Sequence, residues 1–148
     1  MGLPFAEDVN YWKTGKSTPD TWLEKATELI EDLGGKVLGH AFGSDPVSGA
    51  KAYLMEFEIG GDQFKVIWPV LPTKYEDSPT AAKRQAATYL FRDIKAKCLS
   101  AVIKGTRTAF FEYLRLPNGR TPPDLVTEEL LQLPRFLEGF GGPQIEKE

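Results

Sequence analysis

The chain has one cysteine, one histidine and two methionines among its 148 residues. A lone thiol closes no internal disulfide, and it has no companion cysteine for a tetrahedral zinc site. A reducing compartment fits such usage, so a cytoplasmic protein is expected. The lone imidazole, His40, has no visible nucleophile or orienting group to work with, and reads as a structural side chain rather than a base. Long apolar runs are missing too. No stretch approaches the roughly 20 apolar residues of a membrane span. The first residues, with the early acids Glu7 and Asp8, match neither a signal peptide nor an anchor. Glycine pairs occur at Gly34-Gly35, Gly60-Gly61 and Gly141-Gly142, but none opens a helix after a strand with the spacing of a phosphate loop. There is no repeat and no low-complexity block. No cofactor, no metal and no membrane partner are expected.

What is present is ordinary globular material. Hydrophobic residues make up 41% and charged residues 26%, so the chain can form a core rather than stay disordered. Its length suits one domain, since domains commonly run to about 100–150 residues. Residues 1–17 mix aromatics with polar residues in neither period and read as an N-terminal arm, ready to dock on the body or on a partner. Residues 18–138 read as a single α+β domain, and residues 139–148 as a flexible tail.

Local signals place the elements. Thr18-Pro19-Asp20 offers a cap, a proline at the first helical position and an acid at the positive end of the dipole. Trp22, Ala26, Leu29, Ile30 and Leu33 follow at helical spacing, and Gly34-Gly35 supplies a left-handed exit. Three strands come next. Lys36 to Phe42 carries the faintest signal, and Gly43 to Gly49 reads as a loop. Ala50 to Ile59 alternates Tyr53, Met55, Phe57 and Ile59 against Leu54, Glu56 and Glu58, the period of a strand with one buried face. After the Gly60-Gly61-Asp62 turn, Phe64, Val66, Trp68 and Val70 alternate back, and Pro69 argues for an edge position or for the strand's end there.

Ser78-Pro79 starts a second helix that is expected to run to about Lys104, where Gly105 stops it. Ala86, Leu90, Ile94, Cys98 and Ala101 fall on its apolar side, where Cys98 reads as an inert core thiol. A helix from Thr106 to Leu116, the turn Pro117-Asn118-Gly119 and a third helix from Leu125 to Leu131 follow. The expected architecture is a three-stranded antiparallel sheet with an N-terminal helix and a long helix packed on one face, plus short C-terminal helices.

Charge is sorted along this chain. The formal net charge is −3, yet the 25 residues from Lys83 to Arg107 hold seven of the eighteen Lys and Arg residues and one acid, Asp93. That segment is +6, leaving −9 for the rest. An exposed helical face normally mixes both signs, so the near absence of acids points to phosphate. Arg84, Thr88, Arg92 and Lys95 fall within about a quarter-turn of one another on the helix. Lys83, Arg84, Arg92, Lys95 and Arg107 are therefore the expected nucleic-acid-binding residues, with Lys83 and Lys97 nearer the apolar side. Trp12 or Tyr11 are candidates for stacking on unpaired bases. Glu56 and Glu58 share a strand face, but a third acid and a nearby lysine are lacking for metal-dependent chemistry. They read as solvent-facing partners of Lys65. Glu76-Asp77 reads as charge complementing the helix dipole.

The order α-β-β-β-α resembles the double-stranded RNA-binding domain. The local match is Ser78-Pro79-Thr80-Ala81-Ala82-Lys83-Arg84-Gln85-Ala86-Ala87, similar to that family's helix start, with the Phe57-Glu58-Ile59-Gly60-Gly61 turn ahead of it. Pro79 and Thr80 stand where the family has a phosphate-clamping lysine pair, and its minor-groove loop has no counterpart between Gly43 and Gly49. From Thr18 to Lys104 the layout and charge also resemble phage-type single-strand annealing proteins, which form rings on single-stranded DNA. Both resemblances imply nucleic acid against the basic helix. The expectation is a small non-enzymatic nucleic-acid-binding protein, with single-stranded DNA or RNA as ligand and homo-oligomers possible in principle. The alternative is a protein–protein interaction or self-assembly module whose positive helix docks on acidic protein surface.

Overall fold

The computed structural model describes residues 2–14, 17–44, 49–75 and 79–124. Helix α1 spans Pro19–Asp32, and its cap is the expected one: the Thr18 hydroxyl oxygen accepts from the Thr21 N–H at 3.3 Å. Leu23, Ala26 and Ile30 are buried along one stripe, with Trp22, Leu29 and Leu33 packed beside it. The two exit glycines serve different ends. Gly34 takes the left-handed conformation at φ 84°, whereas Gly35 is needed for space. A Cβ there would lie 2.6 Å from Ile59 Cγ1, 2.8 Å from Ile30 Cγ2 and 2.9 Å from the Glu58 carbonyl oxygen.

Strands β1 (Lys36–Ser44), β2 (Lys51–Ile59) and β3 (Asp62–Pro69) form one antiparallel meander in the order β1-β2-β3. The expected β1 stops at Phe42, but the strand continues through Gly43 and Ser44 because Ala52 and Lys51 remain opposite them. One extra residue, Leu38, sits in β1 between the pairs Val37–Phe57 and Gly39–Glu56, a bulge that leaves Leu38 exposed. Ile59 and Asp62 close the hairpin around Gly60 and Gly61, both at positive φ.

One sheet face is apolar. Tyr53, Met55, Phe57 and Ile59 from β2 join Phe64 and Val66 from β3, all buried beneath α1 and helix α2, Pro79–Lys104. From α2 come Ala86, Leu90, Ile94, Cys98 and Ala101, the predicted apolar side, together with Ala82, Ala87, Gln85 and Thr88. Glu56 faces the other way, opposite Lys65 on β3 and 3.6 Å from Arg115. Ser78, the expected cap of α2, lies outside the described residues, as do the third helix at 125–131 and the tail at 139–148.

Gly105, at φ 88°, ends α2. The single helix expected from Thr106 to Leu116 is broken into α3 (Thr106–Ala109) and a 3-10 turn at Phe111–Tyr113. Two constraints break it. Phe110 turns its ring into the core against Phe57 and Phe64, at 5.5 and 5.7 Å between centroids. Beyond it the chain extends to meet β3, where Leu114 bridges Phe64 and the Arg115 N–H donates to the Gln63 carbonyl at 2.8 Å. The Pro117-Asn118-Gly119 turn forms as expected, with the Gly119 N–H on the Leu116 carbonyl at 2.8 Å.

Gly35→Ala is expected to destabilise the protein by about 1–3 kcal/mol, because the clash lies with backbone and with two packed isoleucines. Gly34→Ala has open space around it and meets only the conformational cost of positive φ, roughly 1–2 kcal/mol. Urea denaturation of both variants checks this: Gly35→Ala alone should be partly relieved by trimming Ile59 to Ala, which removes the Cγ1 atom at 2.6 Å.

Candidate functional site

The N-terminal segment is docked on the body. A 3-10 turn at Ala6–Asp8 buries Ala6, whose N–H donates to the Pro72 carbonyl at 2.8 Å. The main tie is Gln85. This side chain is buried in α2, and its Nε2 amide faces the carbonyls of Ala6, Val9 and Asn10 at 2.9, 3.2 and 3.0 Å. Glu7 and Asp8 extend the attachment: the Lys74 N–H donates to the Glu7 carboxylate, and Lys74 Nζ to Asp8 at 2.8 Å. The hydrogen bond to Asp8, followed by the charge of Asp8, raises the Lys74 ammonium pKa.

One helical turn beyond Gln85, this docking builds an aromatic and cationic cluster. Tyr11 meets Tyr89 of α2 edge-on, with 5.1 Å between centroids. Tyr89 lies parallel to Trp68 of β3 at 6.2 Å. Arg92 stands over the other partner, its guanidinium 4.9 Å from the Tyr11 ring centroid. Trp12 follows with Lys13 Nζ 5.5 Å from its ring. Tyr11 and Lys13 both adopt left-handed backbone, at φ 69° and 55°. Such conformations are uncommon in residues other than glycine and cluster where a segment is shaped for a task.

The predicted basic residues are not one stripe. Thr88, counted on it, is buried and donates its hydroxyl to the Arg84 carbonyl at 2.8 Å, and Arg84 itself is half-buried. Lys83 lies apart, its Nζ 4.2 Å from the ring of Phe42 on β1. Arg107 is committed to the hairpin turn: Nε and Nη2 reach the two carboxylate oxygens of Asp62 at 2.9 and 2.8 Å, with both side chains largely buried. That hydrogen bonding raises the Arg107 pKa above its ordinary value. Lys97 is similarly engaged with Asp93 and Glu112. Burial lowers its pKa, but the bonds to Glu112 and Asp93 outweigh that and raise it.

Asp93, the acid inside the basic segment, decides what is left. Its carboxylate takes the Tyr113 hydroxyl as well as Lys97, and burial with that bond pushes the Tyr113 ionisation far up. Asp93 is therefore turned away from Arg92 and Lys95, which are both exposed. Among the described residues Lys95 makes no ion pair. The sequence pattern pointed to Arg92, Lys95, Tyr11 and Trp12, but missed Tyr89 and Trp68. Tyr89 sits three residues before Arg92, a spacing that places the two on one helix face.

His40 is exposed on β1. Among the described residues no group of three or more His, Cys, Asp or Glu side chains is placed to hold a metal ion, and no described helix is long and apolar enough to cross a membrane. No protein-family model, curated protein or solved structure matches this chain.

Cys98 behaves as the core thiol expected. It is 8% exposed, its Sγ lies 3.8 Å from the Leu29 carbonyl oxygen, and burial, aided by Asp32, pushes its pKa up to about 11. Burial, then the charge of Asp20, likewise pushes Tyr53 up to about 12. Both folded pKa values exceed the unfolded ones, so both groups favour the native state below pH ~9 and cease to as pH rises toward ~12. Melting temperature is expected to fall steadily across that window. At pH 8, alkylation of native Cys98 should run about a hundredfold slower than in the denatured chain, since the thiolate is the reactive form.

Proposed function

We propose that this chain is a small non-enzymatic nucleic-acid-binding protein, taking single-stranded DNA or RNA across the middle of α2 where the N-terminal segment docks. The observation that carries the reading is Arg92 over Tyr11, in line with Tyr89 and beside Trp12 and Lys13. Arg92 and Lys95 supply charge to phosphates, each contact releasing counterion and adding salt-sensitive affinity. Tyr11 and Trp12 supply ring faces for unpaired bases, worth about 1–3 kcal/mol per base. The acidic net charge of −3 favours a weak, salt-sensitive mode over tight non-specific binding. Lys83, Arg84 and Arg107, bound up in local contacts, are secondary contributors.

Labelled oligothymidylate titrated at about 50 mM and about 200 mM salt tests this by anisotropy. Affinity should fall at the higher salt, drop a further tenfold or so in Arg92→Glu/Lys95→Glu, and weaken with unchanged salt slope in Tyr11→Ala. Absence of binding at low salt, or wild-type affinity in the charge-reversed variant, sinks the proposal.

A second reading, a protein–protein interaction or self-assembly module, is favoured by a different observation. Leu99, Val102 and Ile103 on the last turns of α2 are 66, 73 and 84% exposed and share one helix face. Under that reading light scattering reports an oligomer that Val102→Asp/Ile103→Asp dissolves, with no oligonucleotide bound.

A further inference from the structure

The two edges of the sheet are treated differently. The β3 edge is covered where Leu114 bridges Phe64 and Arg115 bonds to Gln63. Among the described residues the β1 edge carries no such cover. Eight of its nine residues are exposed, Val37 being the exception, and from Val37 to Ser44 it has neither charge nor proline. Natural edges are usually blunted by lysine, proline or a covering segment, because unpaired amides are a template for another strand. Here Lys36 stands at the first position, and beyond it only the Leu38 bulge interrupts the edge among the described residues.

The pairing pattern identifies the open amides. Ile59 and Asp62 flank a two-residue turn, and the Val70 N–H donates to the Lys51 carbonyl at 2.8 Å. Odd-numbered residues of β2 therefore bond to β3, and even-numbered ones to β1. Opposite the even residues stand Gly39, Ala41 and Gly43. The N–H and C=O groups of His40 and Phe42 consequently point outward from the sheet.

Charge beside the edge selects an occupant. Between α1 and β1 lies a cleft of about 430 Å³, with Glu24, Glu28 and Glu31 on the helix side and Val37, Gly39 and His40 on the strand side. The three glutamates are exposed, and among the described residues none has an ion-pair partner. A strand added to β1 would send every second side chain toward them. A second copy pairing antiparallel through β1 would set its own three glutamates on the same face, where like charges repel.

We propose that β1 receives an extended polypeptide segment with Lys or Arg at alternate positions, which adds as a fourth strand and lays its cations under Glu24, Glu28 and Glu31. Backbone bonds to His40 and Phe42 hold the segment, and the alternating cations set its register. This occupant is a protein segment and is independent of the oligonucleotide reading at α2.

A fluorescein-labelled nine-residue peptide alternating Lys and Val, matched to the nine residues of β1, is the probe. It should bind the full chain, while a Glu–Val peptide and an equally charged Lys–Pro peptide, which cannot join a ladder, should not. His40→Pro removes an outward N–H at a position where an edge tolerates proline; it should abolish binding with an unchanged circular dichroism spectrum. Glu24→Gln/Glu28→Gln/Glu31→Gln leaves the backbone untouched and should weaken binding about tenfold, the size of a few screened ion pairs, so the charge half is tested even if the proline variant misfolds. Equal binding of the Lys–Pro peptide, no loss in the triple variant, or a peptide-free dimer through β1 overturns the proposal.

Discussion

Everything in this fold is referred to one constraint, the close seating of α2 on α1 and the sheet. A three-stranded sheet has one apolar face, and that face needs a lid broad enough to exclude water. Ala82, Ala86, Ala87 and Ala101 let α2 approach closely, while Leu90 and Ile94 fill the space beneath it. The same helix then holds the N-terminal segment through Gln85 and turns, at Gly105, so that Phe110 reaches the rings of Phe57 and Phe64. Without that seating neither the aromatic cluster nor the broken C-terminal helix would form.

Charge sorting is the second theme. In linear order Lys83 to Arg107 is a positive block, but the fold divides it by pairing. Arg107 faces Asp62, Lys97 lies between Asp93 and Glu112, and Lys83 rests on an aromatic ring. Partly buried ions need partners, since desolvation would otherwise disfavour the charged form. The exposed Arg92 and Lys95 escape that requirement. A positive residue on the surface and one in an internal pair look identical in composition yet differ in what they can bind.

The sheet edges show the same division between pattern and placement. The hydrophobic alternation of β2 and β3 foretold their register and buried face, because a one-residue slip would expose every core side chain. β1 carried less signal: its residues are mostly exposed, so burial imposed little periodicity on them, and the Leu38 bulge broke what alternation remained. That weak pattern is itself the mark of an edge strand.

Local rules were enough for the Thr18 cap, the Gly60-Gly61 turn, the apolar side of α2 and the inert Cys98, since each depends on residues within a turn or two. They were not enough for the split of the Thr106–Leu116 helix, where the core's demand for Phe110 and the pairing of Leu114 with β3 outweigh helix propensity. Nor could they bring Tyr11 to Tyr89 and Arg92, separated by about eighty positions and joined through one buried glutamine amide. The sequence by itself determined the α+β layout and the positive bias of α2, because periodicity and composition are local quantities. Tertiary structure alone decided which cations are neutralised and which edge Leu114 and Arg115 cover, because pairing is settled by distance in space.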